Sequence, residues 1–137
     1  MPIERSNVPG LAQPPGSTHL ATVSEARLVF IAGQVPLYER GELVGHGDAI
    51  AQVRQCLGNL AARLAAAGAT PGDVVRITAY VAAEERALLE CVWQALLDSE
   101  PSAVVRAPAT LLGVRHLGCE GQLVEIECTA ALSKQVR

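Results

Sequence analysis

Residues 48–68 constrain this chain more than any other stretch. Ile50, Val53, Leu57, Leu60 and Leu64 step by three and four along one helical face, Asp48 is a good N-cap, and Gly68 stands where a C-terminal cap belongs. A helix with one apolar stripe needs a partner to cover that stripe. The next segment supplies it. Between Asp73 and Val81 the pattern alternates, with Val75, Ile77, Ala79 and Val81 on one side and Arg76, Thr78 and Tyr80 on the other, which predicts a half-buried strand.

The remaining elements follow from the same periodicities. Residues 84–98 read as a second helix, with Leu88, Val92, Ala95 and Leu96 inward, Trp93 on the flank, and Glu84 and Glu85 suited to its N-terminal dipole. His19–Val23 and Leu28–Gln34 read as strands joined through Ser24, Glu25 and Ala26 as a hairpin. Thr110–Leu117 and Leu123–Leu132 read as a closing antiparallel hairpin around Gly118-Cys119-Glu120-Gly121. In the last strand Val124, Ile126, Cys128 and Ala130 face inward, while Glu125, Glu127 and Thr129 take the opposite face. Two helices can cover only one face of such a sheet. The expected architecture is α+β, a single domain whose mixed sheet carries both helices on one face. Its other face, with Thr, Tyr, Glu, Arg and apolar residues such as Leu111, is the kind that packs against further copies, with ligand clefts between them.

At 137 residues the chain is one domain. Proline and glycine crowd the first sixteen residues, so 1–15 is expected to be an extended arm without regular structure and 16–137 the domain. The core must be aliphatic, because Phe30, Trp93, Tyr38 and Tyr80 are the only large rings. A formal net charge of -3 without a basic run argues against nucleic acid as partner, and so few aromatics offer no stacking platform. The first residues lack an apolar leader and no long apolar run occurs, so the expectation is a cytoplasmic protein without a membrane span. Cys56, Cys91, Cys119 and Cys128 show no zinc spacing, and neither metal nor cofactor is expected. Cys56, Cys91 and Cys128 read as small core residues and Cys119 as a free thiol in a turn.

The segment Leu28 to Leu37 is the first place to seek a site. Its apolar run ends in Ala32-Gly33-Gln34 before Pro36, and Gly33 leaves the backbone open to a ligand or a neighbouring subunit.

Several motifs together resemble one family. Ile31-Ala32-Gly33-Gln34-Val35-Pro36, Ala51-Gln52 with Cys56-Leu57 and Asn59-Leu60, Ala67-Gly68-Ala69 before Asp73-Val74-Val75, Pro108-Ala109-Thr110, and Val124-Glu125-Ile126-Glu127 match the YjgF/RidA family in order and spacing. This group is also called the endoribonuclease L-PSP family, and the likeness covers roughly residues 16–132. The resemblance implies a chorismate-mutase-like fold and a homotrimer with small-molecule clefts between subunits. It also implies hydrolysis of reactive imines and enamines such as 2-aminoacrylate. Family members hold the substrate carboxylate with an arginine in a Pro-Ala-Arg motif, line the pocket with a tyrosine, and position water with a glutamate on the last strand. Here Glu125 matches that glutamate and is the expected catalytic residue. Thr110 stands in place of the arginine, Ser17 or Thr18 in place of the tyrosine, and Ala32 in place of a serine. Expected substrate-binding residues are therefore Ser17, His19, Ala32, Gly33, Glu90 and Thr110, and Arg106 is a candidate replacement cation.

Two functions are compatible with this pattern. One is a Rid-type deaminase or related hydrolase whose substrate is not 2-aminoacrylate, since a buried carboxylate without its guanidinium is costly. The other is a non-catalytic binding or regulatory trimer that keeps the cleft. Ribonuclease activity, suggested by the family's older name, is disfavoured by the acidic balance.

Overall fold

The computed structural model describes residues 2–100 and 106–134. A four-stranded sheet carries two helices on one side. In chain order the elements are β1 (Ile3–Ser6), β2 (Leu20–Val23), β3 (Ala26–Gln34), α1 (Ala49–Ala66), a single 3-10 turn (Pro71–Asp73), β4 (Val74–Ala82), α2 (Arg86–Asp98), β5 (Ala109–Val114) and β6 (Val124–Ser133). The main sheet runs β3-β6-β4-β5, and β1 and β2 form a separate two-stranded ribbon.

The first helix forms as its caps dictate. The Asp48 carboxylate accepts from Ala51 N at 3.0 Å, and Gly68 follows at a φ of 80°, a left-handed turn that a glycine takes without cost. Its buried stripe is Gln52, Val53, Cys56, Leu57, Leu60 and Leu64, whereas Ile50 points to solvent. These side chains meet Val74, Ile77, Ala79 and Val81 of β4 and Val124, Ile126, Cys128 and Ala130 of β6 in one aliphatic core. Val74 rather than Val75 is buried, because a bulge between Val74 and Arg76 shifts the alternation at the start of β4.

The strand pairing departs from the expected hairpins. β4 and β5 are parallel, joined by the α2 crossover, and β6 inserts antiparallel between β3 and β4. The reason is geometric: β6 is buried on one face along its whole length and gains two ladders as a central strand, while α2 is long enough for a parallel connection. Likewise β2 pairs with β1 rather than β3. Glu25 sits at a φ of 47° between β2 and β3, where the chain leaves the ribbon and enters the main sheet. Residues 3–6, expected to be irregular, therefore form a strand. Arg5 pins the ribbon to the sheet, with Nη2 donating to Gly72 O and Val74 O, both at 2.7 Å.

On the face away from the helices lie Phe30, 76% exposed, and Leu28, 51% exposed, with Arg76, Thr78, Tyr80, Glu127 and Thr129. Leu112 joins them; Leu111 instead packs against the core on the helix side. Cys56 and Cys128 are buried as expected, but Cys91 is exposed on α2. Much of the expected 100–108 connection falls outside the described residues.

Candidate functional site

Glu125 lies where β3 leaves the ladder. Between Ile31 and Gln34 the register with β6 slips by one residue, so Ala32 and Gly33 bulge at the sheet end. A side chain at position 33 would collide with Glu125, its Cβ lying 2.8 Å from Cδ and 3.0 Å from Cγ. Only glycine lets the carboxylate rest on the β3 backbone. Glu125 Oε1 accepts from Gln122 Nε2 at 3.1 Å. Gln122 is itself fixed: it is 3% exposed, its Oε1 accepts from Cys119 N at 3.0 Å, and its Nε2 also donates to Val124 O at 3.1 Å. The half-buried carboxylate therefore has one oxygen held and the other against Gly33.

The thiol of Cys56 lies beneath this corner. It donates to Gln34 O at 3.2 Å, and burial, followed by the nearby Glu125 charge, pushes its pKa up to about 12. It is a protonated core group rather than a nucleophile. Gln34 is buried too and donates to Ala32 O at 2.7 Å.

The other expected residues gather at the opposite edge. Thr110 is exposed on β5, and its Oγ1 accepts from Arg76 Nη2 at 2.8 Å. The cation at the Thr110 position is thus Arg76 from β4, not Arg106, which is exposed and tied through its carbonyl to Thr18 Oγ1 at 2.9 Å. Ser17 and Glu90 line a groove of about 520 Å³, together with Pro15, Leu89, Trp93 and Leu111. His19 is turned toward the arm: Nδ1 accepts from Val8 N at 2.8 Å, and Nε2 lies 2.8 Å from Ala12 O. Both ring nitrogens are spent on holding residues 8–12.

The expected residues thus form two sets within one protomer. Ala32, Gly33 and Glu125 meet at the β3–β6 end. The second set is at β5, where Ser17 and Glu90 line the groove on the helix side and Thr110 faces the outer side of the sheet with Arg76, and β4 lies between the two sets. In register, Tyr80 of β4 stands between Glu125 of β6 and Leu112 of β5, so Glu125 and the β5 edge are two strand spacings, about 10 Å, apart across the sheet. Tyr80 donates to Glu127, and that bond holds the phenol above its ordinary pKa, with burial second. Among the described residues no three His, Cys, Asp or Glu side chains gather as a metal site. Sequence reasoning missed Arg76 and Gln122. Arg76 had shown itself on the outward side of β4, but nothing in the pattern said that β5 would be its parallel neighbour. Gln122 falls between the turn read at Gly118–Gly121 and the strand read from Leu123, where nothing in the pattern marks it.

Solved structures identify this fold. The chain superimposes on the Rid-family protein YyfB of Yersinia pestis, described as of unknown function, with a TM-score of 0.84 and 36% identity over 96% of this chain and 100% of that one. It also matches E. coli TdcF with bound serine, with a TM-score of 0.63 and 28% identity over 96% of this chain and 98% of that one. The class is therefore the chorismate-mutase-like α+β domain of Rid proteins. The family model described as Endoribonuclease L-PSP matches residues 13–132, and the chain belongs to this family, the YjgF/RidA group. A curated relative, a RutC family protein of Pyrococcus horikoshii, is 38% identical over 71 residues, which is 51% of this chain and 56% of the relative. The aligned part spans little more than half of that relative's length.

Proposed function

We propose that the protein hydrolyses a small reactive imine or enamine in a cleft between copies of itself, with Glu125 positioning and deprotonating the water. The observation that carries this reading is the carboxylate of Glu125 seated on the Gly33 backbone and held by buried Gln122. A carboxylate with one oxygen fixed can accept a proton at the other. Water oxygen bonds to the imine carbon as one of its protons passes to Glu125, which returns it to the nitrogen; the remaining hydroxyl proton then passes by the same carboxylate to that nitrogen as the C–N bond breaks, giving a carbonyl compound and ammonia.

The two sets of residues support a cleft between copies. Gly33 and Ala32 lie on edge strand β3 and Thr110 on edge strand β5, so a head-to-tail contact joins one copy's Glu125 corner to the next copy's β5 edge. Such contacts close into a ring, and a homotrimer is the proposed ring. Exposed Leu28 and Phe30 on the outer sheet face suit burial inside it. Among the described residues no helix is long and apolar enough to cross a membrane, and we place the protein in the cytoplasm. Serine bound in the TdcF structure supports a metabolite-sized ligand. A binding or regulatory trimer is the second reading, favoured by Thr110 where the family holds its arginine.

The test is ammonia release from two freshly generated substrates, 2-aminoacrylate and the carboxylate-free imine of cyclohexanone. Release above buffer from the second, reduced about 100-fold or more in Glu125→Gln, is expected. If neither compound is turned over faster than in buffer, the binding protein is the better description.

A further inference from the structure

The groove beside α2 has a charge and a shape that the imine chemistry alone does not specify. Pro15 forms one wall, Leu89 and Trp93 of α2 another, and Leu111 of β5 the floor. The walls are fixed before any ligand arrives. Trp93 Nε1 donates to Pro15 O at 3.0 Å, Gly16 packs against Leu97, and Thr18 holds the Arg106 carbonyl. With its N–H committed to Pro15, the Trp93 ring contributes only its apolar surface and π face. Among the described lining residues Glu90 alone carries charge. Arg76 serves a different recess of about 260 Å³ on the outer sheet face, with Phe30 and Glu127.

An apolar concavity with an aromatic wall and one carboxylate at its rim suits an organic cation. A carboxylate ligand of the same shape would face Glu90 with no compensating positive charge. We infer that this groove binds small ammonium or iminium ions with an apolar body, and that the substrate is a protonated imine of an apolar aldehyde or ketone. The substrate half of this inference rests on the imine reading above. Hydrolysis of such an ion is balanced: the iminium carbon gains the water oxygen, the C–N bond breaks, and the four hydrogens on nitrogen and water leave as ammonium.

Trp93 is the only tryptophan in the chain, so its emission reports this groove directly. The test titrates the parent protein and Glu90→Gln with benzylamine at neutral pH, using benzyl alcohol and benzoate as uncharged and anionic counterparts. Benzylamine is expected to saturate the change in emission at a concentration about threefold or more below that of benzyl alcohol, with that advantage lost in Glu90→Gln. Added salt should weaken benzylamine alone. Glu90 is exposed, so the variant should keep the parent's thermal midpoint; if it does not, the salt series on the parent protein decides the question. Benzoate binding as well as benzylamine, no saturation by benzylamine, or an unchanged benzylamine curve in Glu90→Gln would each overturn the inference. Failure of the underlying reading looks different: imine turnover indifferent to Glu125→Gln, with selective cation binding at Trp93 intact.

Discussion

At position 33 the absence of a side chain is a structural requirement. In Gly33→Ala the new methyl occupies space now held by the Glu125 carboxylate, so either that side chain swings away or the β3 bulge shifts. Turnover should fall at least about tenfold while stability changes by roughly 1 kcal/mol, because the site lies at a sheet end rather than in the core. Equal losses of turnover and of thermal midpoint would mean that the glycine serves folding alone. Gln52 is the opposite case. Fully buried, it donates to Gly45 O and Gly121 O at 3.0 Å and accepts from Leu123 N at 2.7 Å, tying the loop before α1 to the turn before β6. Gln52→Ala strands those backbone groups, and a loss of about 2–4 kcal/mol in urea unfolding is expected. The Cys56 thiol makes stability depend on alkali. Its pKa rises from an ordinary 9.0 to about 12 on folding, so the folded state binds the proton more tightly and stability falls as pH climbs from about 9 toward 12. Cys128, pushed up to about 11 by burial and then by Glu127, adds to the same slope. Unfolding free energies measured across that range should decline less steeply in Cys56→Ala.

At the scale of elements, legibility followed locality. The helix α1 could be read to within a residue or two because its information is local: the Asp48 cap, the apolar stripe and Gly68 all lie within one stretch. Asp48→Ala should cost about 1 kcal/mol, measured by thermal or urea unfolding, since the carboxylate satisfies an otherwise unpaired amide of the first turn. The inward set of β6 was legible for the same reason. Partnership was not. Nothing in Thr110–Val114 says whether the strand returns beside β6 or continues beyond β4, and the choice depends on the reach of the α2 crossover. The candidate site shows the same division. Gly33 and Glu125 were found as separate positions in the sequence, and their contact across the β3–β6 ladder became visible only with the fold. Arg76 beside Thr110 depended on the pairing that hairpin logic had excluded. Ile50 and Leu111 were misplaced by single steps of periodicity, an error that a neighbouring bulge or edge easily produces.

For the whole molecule, the decisive quantity is the number of copies. One protomer places Glu125 and Gly33 near one edge of the sheet, and Thr110 and the Trp93 groove on opposite faces of the β5 edge, so neither edge alone holds every candidate group. The outer face between them exposes Phe30 and Leu28, side chains whose burial would contribute about 1.5–3 kcal/mol each. A charge at position 30 should therefore oppose assembly without touching the core, since Phe30 is 76% exposed in the single chain and faces away from the helices. Light scattering on the parent protein at micromolar concentration should give a species near three times the 14.3 kDa chain, and Phe30→Glu a species near one. Circular dichroism should stay unchanged, because the α1–β4–β6 core does not include that side chain. Turnover should vanish with assembly in Phe30→Glu, whereas benzylamine should still change Trp93 emission, because the groove walls of Pro15, Trp93 and Leu111 belong to one chain. A monomeric parent, or a monomeric variant with full turnover, would confine the chemistry to a single protomer and leave the β5 edge without a part in it.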